Sequence, residues 1–329
     1  MEGEENRTEE EVTDIVFNIV GACAWTITTV LILFFNTMCL IILPKVGEFH
    51  HSTRIFLQSM TVSDLMLGVF FYFPMTGIWL TGSGVWPYGD ALCYIQAWMI
   101  RQALPACSIS LLLVTTDRYI AVVYPLKYKT LLTSRRAKII VCILWIMTNI
   151  YTLILTALSQ WKNKYNDVLF LCQFGETTNT LAAFIVTVLT LFVVVVIILM
   201  YVQILHIARS QVSRIATQHH LVTIDGEWQS PQINRKSFTT IFIVTMVLFV
   251  GWLPSIAMGL MRKNFSPQLR VSSQILLASV SWLNVIVYYV RNKAFRGAGR
   301  NFLLKITRNC CGYYNKKPTY TTGHNNNSI

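Results

Sequence analysis

Asp64, Arg101, Asp117 and Arg118 stand inside strongly apolar sequence. In lipid, ionisable groups are costly and face partners, cavities or ion paths, so each is read as functional. Asp117 and Arg118 are adjacent, precede Tyr119, and close the apolar stretch 93–124. Their simplest reading is a boundary pair that anchors a helix end. Arg101 lies about 12 Å below Cys93 if the stretch is helical. A guanidinium at that depth suits a carboxylate, phosphate or sulfate. It could instead snorkel or pair with Asp90 or Glu176. Nothing in the sequence assembles a nucleophile with a base, so no enzyme is expected.

These groups need long apolar elements to hold them. The chain has 329 residues, 54% of them hydrophobic and only 13% charged. A soluble domain carries about 25% charged residues, so a membrane protein is indicated. Seven stretches can span a bilayer, at about 15–43, 54–80, 90–124, 136–159, 178–208, 235–261 and 269–290. Each exceeds the roughly 17 residues a helix needs. Barrel strands alternate polar and apolar, whereas the run 191–199 is apolar throughout. The expected fold is therefore an all-α bundle of seven transmembrane helices. A tail at 1–14, read as lacking regular structure, precedes the bundle at 15–290. A short amphipathic surface helix follows at 291–308, then a tail at 309–329.

Of the 27 Lys and Arg, 20 fall on one side of these spans, six on the other, and Arg101 within one. The basic side is expected to be cytoplasmic, with the N-terminus outside and the C-terminus inside. The net charge of +12 then reflects the anionic inner leaflet, and no basic domain is set apart for nucleic acid. Glu2, Glu4 and Glu5 stand where a cleavable leader needs basic residues, so the first span is expected to act as the signal. Asn6-Arg7-Thr8 is a glycosylation sequon; a second at Asn264 is weakened by Pro267. Cys310 and Cys311 follow the amphipathic segment as palmitoylation candidates or as reduced cytosolic thiols.

The order of motifs resembles the rhodopsin-like (class A) G-protein-coupled receptors over about residues 20–306. The resemblance rests on Asn36, Ser63-Asp64-Leu65, Asp117-Arg118-Tyr119, Pro125-Leu126, Trp145, Tyr201, Trp252-x-Pro254 and Asn284…Tyr288. It implies a Cys93–Cys172 disulfide that shapes the pocket roof, and a Trp86 in the first extracellular loop. It implies a sodium ion, the one cofactor-like ligand expected, on Asp64, Ser281 and Asn284. Cys107 replaces a serine there, and a thiol is a poor ligand for a hard cation. It makes Asp117, Arg118, Tyr119, Pro125, Leu126, Tyr201, Pro254, Asn284 and Tyr288 the switch and coupling residues. It lines the ligand site with Ile100, Arg101, Leu104, Trp252, Ser255 and Trp282.

The partners implied are a heterotrimeric G protein, arrestin, a receptor kinase, an extracellular small molecule and membrane lipid. Three departures bear on switching: Val193 and Val285 replace family prolines, and Gly251 replaces a cysteine. No acid lies near Asn234, so Asp117 alone is expected to hold Arg118. The pattern is closest to amine receptors, yet Ile100 occupies the place of their aspartate. An anionic or neutral ligand is therefore expected, with an orphan-like pattern otherwise. An amine receptor with a non-standard pocket, or a ligand-independent receptor, stays open. A retinal pigment would need a lysine within 269–290, and a transporter would show repeats; neither is present.

Overall fold

The computed structural model describes residues 2–47, 49–82, 85–166, 171–219, 250–258, 261 and 265–314. Helices α1 (Glu2–Ile42), α2 (His51–Leu67), α3 (Phe73–Thr81), α4 (Gly89–Val123), α5 (Pro125–Leu131) and α6 (Ser134–Leu158) come first. A hairpin of β1 (Asn163–Asn166) and β2 (Leu171–Phe174) follows, then α7 (Glu176–His219). Helix α8 covers residues 250–258, α9 spans Pro267–Arg291 and α10 spans Lys293–Tyr314. Among the described residues, six segments are long and apolar enough to cross a bilayer. They match every expected span except the sixth. That span, 235–261, is described only at 250–258 and 261.

Local chemistry sets the helix ends. Ser266 accepts from the Leu269 N–H at 3.3 Å, with Pro267 supplying a ready first turn for α9. The Asn292 side chain accepts from the Phe295 N–H at 2.8 Å and starts α10. Gly82, at φ +62°, ends α3 in the left-handed conformation that glycine tolerates. Pro105 sits inside α4 without ending it, as neighbouring helices permit in a membrane bundle.

Two expectations are corrected, and one span that matches carries an irregular turn. Residues 2–14 continue α1 as helix; the segment is rich in glutamate, a good helix former, and acids suit a helix N-terminus. The second span is not one regular helix. A π turn at Gly68–Tyr72 separates α2 from α3, next to Pro74, which cannot donate a backbone hydrogen bond. The fifth helix runs on past the apolar stretch to His219, so the segment after it begins as helix. With Val193 where a proline was expected, α7 is unbroken.

Polar groups face inward and apolar stripes face lipid. On α6, Ile139, Ile143, Ile146, Ile150 and Leu153 are exposed along one face, the spacing of a helix stripe. Inside, one apolar cluster joins Leu43, Phe56, Leu111, Ile197, Val285 and Phe295 at the α10 end. A second joins Trp25, Ile32, Tyr72, Met75 and Ala278 toward the hairpin end. Gly251 lets α8 press on α9: a Cβ there would lie 2.1 Å from a methyl of Val280.

Candidate functional site

At the α10 end of the bundle, Asp117 is fully buried and surrounded by donors. Its Oδ1 accepts from the Ser52 hydroxyl at 2.8 Å and the Tyr128 hydroxyl at 2.9 Å. Its Oδ2 accepts from Thr53 at 2.6 Å and from Arg118 Nη2 at 2.8 Å. Arg118 also donates to Thr53 Oγ1. So Asp117 does not hold Arg118 alone: Thr53 on α2 is a second anchor. A carboxylate with four donors is stable in place, and three of the four are hydroxyls that stay behind if the guanidinium leaves. The Arg118 side chain keeps 25% exposure, so it can be withdrawn from the pair without crossing the core.

Tyr119, next in sequence, donates to Gln203 on α7. Pro125 starts the short helix α5, on which Leu126 is 96% exposed. Tyr201 is buried in the cluster that Tyr288 packs against. These residues, spread over 172 positions of sequence from Asp117 to Tyr288, share one end of the bundle.

His50 stands behind this pair, outside the membrane spans. Ser52 spends its proton on Asp117, so His50 Nδ1–H, 2.8 Å away, is the donor to Ser52. The His50 ring lies 4.7 Å from the ring of Tyr128. Burial holds the imidazole below its ordinary range; His51, Arg118 and Lys129 push the same way, and Asp117 opposes them. Protons therefore bind more weakly in this arrangement than in the unfolded chain, so stability falls as pH drops below about 6.5. Departure of Arg118 removes a repulsive neighbour and raises proton affinity. Acid should thus favour the state with Arg118 released. Ligand-free G-protein turnover measured across mild acid pH is expected to rise more steeply in wild type than in His50→Gln.

In the bundle centre, Asp64 is 1% exposed. Its Oδ1 accepts from Ser281 at 2.8 Å and from the Cys107 thiol at 3.4 Å. Among the described residues its Oδ2 is buried without a partner, as are Asn284 Oδ1 and Asn36 Oδ1. Asn36 Nδ2 donates to the carbonyls of Ile32 and Ser281, tying α1 to α9. Trp145 Nε1 donates to Ser59, itself paired with Ser110 at 2.9 Å, which ties α6 to α2 and α4.

At the opposite end, Cys93 and Cys172 form a disulfide. The hairpin pairs Tyr165 with Cys172 and Asn163 with Phe174. Gln96 Oε1 accepts from the Cys172 N–H at 2.9 Å, and Trp86 packs on Tyr165 with centroids 5.9 Å apart. Beneath lies Arg101, only 6% exposed. It donates to Thr156 Oγ1 at 3.4 Å and to the Phe174 carbonyl at 3.3 Å, and lies 5.2 Å from the Phe174 ring. Among the described residues it has no carboxylate partner, and Asp117–Arg118 is the sole ion pair; the Glu176 side chain, one of its expected alternatives, lies outside the described residues.

The other expected ligand residues fall in separate neighbourhoods. Leu104 and Trp282 pack on the Trp25 cluster, and Trp252 packs on the lower one. Ser255 pairs with Ser273 at 3.0 Å. Ile100 is half-buried on α4, and Pro254 lies within α8. The side chains of Asn6, Cys310 and Cys311, and residues 220–249, 262–264 and 315–329, lie outside the described residues.

Sequence reading missed His50, Ser52, Thr53, Tyr128, Ser59 and Gln96. A signal existed for the first three: a polar run, His50-His51-Ser52-Thr53, opens a span on the same membrane side as Asp117. Gln96 carried none beyond being an amide three residues from Cys93.

Residues 35–289 match the family model of the 7 transmembrane receptor (rhodopsin family). Probable G-protein coupled receptor 21 of Mus musculus is 26% identical over 290 residues, covering 83% of this chain and 79% of that protein. G-protein coupled receptor 52 of Mus musculus is 25% identical over 259 residues, covering 75% and 70%. Lysophosphatidic acid receptor 6 of Homo sapiens is 31% identical over a shorter 124 residues, covering 38% and 35%.

Proposed function

The chain belongs to the rhodopsin family of seven-transmembrane receptors, and from that premise we propose that it answers a small anionic or polar neutral ligand by releasing Arg118 to a G protein. Membership makes it a multi-pass G-protein-coupled receptor of the plasma membrane, not an enzyme. The single observation behind the ligand class is the state of Arg101. Among the described residues this buried guanidinium meets no counter-ion, a costly state, and its bonds at 3.3 and 3.4 Å are long for charged donors. A carboxylate or phosphate arriving beneath the hairpin would offset that cost. The partial similarity to a receptor named for lysophosphatidic acid points the same way.

The remaining roles follow the same reading. The N-terminus lies outside, the C-terminus inside, and Leu126 on α5 presents an apolar side chain to the G protein. Arrestin and a receptor kinase meet the same face, and α10 rests on lipid. The ligand must favour the released arrangement over the held one, otherwise no shift occurs. A sodium ion fits the centre in part: Asp64 Oδ2 and Asn284 Oδ1 have no partner among the described residues, and Ser281 adds a hydroxyl. Cys107 offers only a soft sulfur. When bound, the ion would supply positive charge to Asp64 and so favour the resting packing.

A second reading, ligand-independent signalling, has its own support. Phe174 and the hairpin already satisfy part of Arg101 from inside the chain. One experiment separates the two. Carboxylates, phosphates and amines are screened on cells, with G-protein dissociation as readout and basal turnover recorded. An anion response should lose roughly tenfold or more in potency in Arg101→Gln, the scale of one charged hydrogen bond. Unchanged potency would end the anion reading. High basal turnover that falls in Phe174→Ala would favour the second.

A further inference from the structure

Asn149 stands among the apolar side chains that α6 turns to lipid. It lies about 22 Å from the Ser134 end of α6 and about 14 Å from its Leu158 end. That depth is inside the hydrocarbon layer, where water does not serve an amide. Its Nδ2 donates to the Trp145 carbonyl at 2.8 Å. Among the described residues its second N–H and its Oδ1 meet no partner. A polar group left so in lipid costs free energy until another protein group reaches it.

The neighbours of Asn149 form a seam. Ile139, Cys142, Ile146, Asn149 and Leu153 follow one another at alternating intervals of three and four, the spacing that keeps one edge of a helix against another helix. All five are exposed, Ile146 by 57%. The buried residues of α6, among them Leu144, Thr148 and Thr152, lie on its other side, so no described helix of the chain covers the seam. A single asparagine in such a seam sets register and partner number. Its chemistry also names the partner. Lipid chains offer neither donor nor acceptor at this depth. An amide carries both, so it complements itself: about a two-fold axis, each Nδ2 donates to the other copy's Oδ1. Copies of one receptor enter the membrane in one orientation, so the axis follows the membrane normal and the seams pair in parallel. Arg135 and Lys138 prolong the stripe toward the Ser134 end and repel their counterparts. Helices that cross at Asn149 by about 20° stand about 7 Å further apart at Arg135, where water and salt screen the remainder.

We propose that this seam of α6 is the contact between two copies of the receptor, closed by a reciprocal pair of Asn149 amides. Trp145, whose carbonyl Asn149 already holds, ties α6 to Ser59 of α2, so the contact rests on a turn anchored in the bundle.

The test uses the full chain, carrying a donor or an acceptor fluorophore on an N-terminal tag, at graded densities in phosphatidylcholine vesicles. Energy transfer should rise with density and saturate at the level of a dimer. Asn149→Leu should weaken association roughly tenfold, the scale of an interhelical amide pair in lipid, while unfolding at or above the wild-type temperature. Thr187→Val on α7 removes a hydroxyl that the Ala183 carbonyl already satisfies at 2.8 Å, and should associate as wild type. A short bismaleimide should join two copies through Cys142, and Cys142→Ser should remove that product. Wild-type association in Asn149→Leu, equal loss in Thr187→Val, or no product at Cys142 overturns the proposal. A receptor monomeric at every density overturns it as well. A lipid kept by wild type but lost from Asn149→Leu in native mass spectrometry would then be the occupant of the seam.

Discussion

Asp117→Ala raises ligand-free G-protein turnover several-fold and lowers the unfolding temperature of the purified receptor. Two physical effects add. Removing the carboxylate leaves Ser52, Thr53, Tyr128 and Arg118 without their common acceptor. Breaking a buried ion pair from one side costs about 3–5 kcal/mol. The low end applies here, because Arg118 retains 25% exposure and can turn to water. That same freedom produces the gain in turnover: a guanidinium held by the Thr53 hydroxyl alone spends more time where a G protein can meet it. Asp117→Asn separates the two effects. The amide keeps one accepting oxygen for the hydroxyls but loses the charge that holds Arg118. Turnover should rise nearly as far while the unfolding temperature falls less. Nucleotide-exchange assays on ligand-free membranes and thermal unfolding read both. Wild-type turnover in both variants would show that the pair does not restrain the receptor.

Cys172→Ser nearly abolishes surface receptor, whereas Cys142→Ser and Cys23→Ser leave it unchanged. The Cys93–Cys172 bond closes a separation of 79 residues. For a free chain that constraint is worth about 4.5 kcal/mol, and the typical loss on removing a native disulfide is about 2–5 kcal/mol. A chain already threaded through a bilayer is partly constrained, so the lower half of that range is expected. The site consequences reach further than the number. The bond holds β2, and β2 places the Phe174 carbonyl and ring on Arg101. Without it Arg101 loses the Phe174 carbonyl and ring and keeps only Thr156, and Gln96 loses the Cys172 N–H. Cys142 and Cys23 are exposed on helix faces that meet lipid, so their loss changes no contact inside the bundle. Counting an N-terminal epitope on intact cells checks all three variants. Normal surface levels for Cys172→Ser would show that the hairpin folds without its staple.

Much of this protein is legible in one dimension because a bilayer is a slab. Its thickness converts directly into a number of apolar residues, so span positions follow from local hydropathy, without any knowledge of neighbours. The same applies to the charges: a residue such as Asp64 or Asp117 is conspicuous wherever it points, since lipid makes it costly. The disulfide was read from family resemblance, and the structure forms it.

What the tertiary structure alone decided is which residues meet. Each step along a helix turns about 100°, so the partner of a buried group depends on the rotation of every neighbouring helix. That rotation is set by packing over the whole bundle. Hence Thr53 and Tyr128 on Asp117, Ser59 on Trp145 and Thr156 on Arg101 could not be read ahead. The π turn at Gly68–Tyr72 compounds this, because an added residue turns everything beyond it to a new face. Hydropathy placed the charged groups in depth; only the assembled helices placed them in angle, and chemistry needs both.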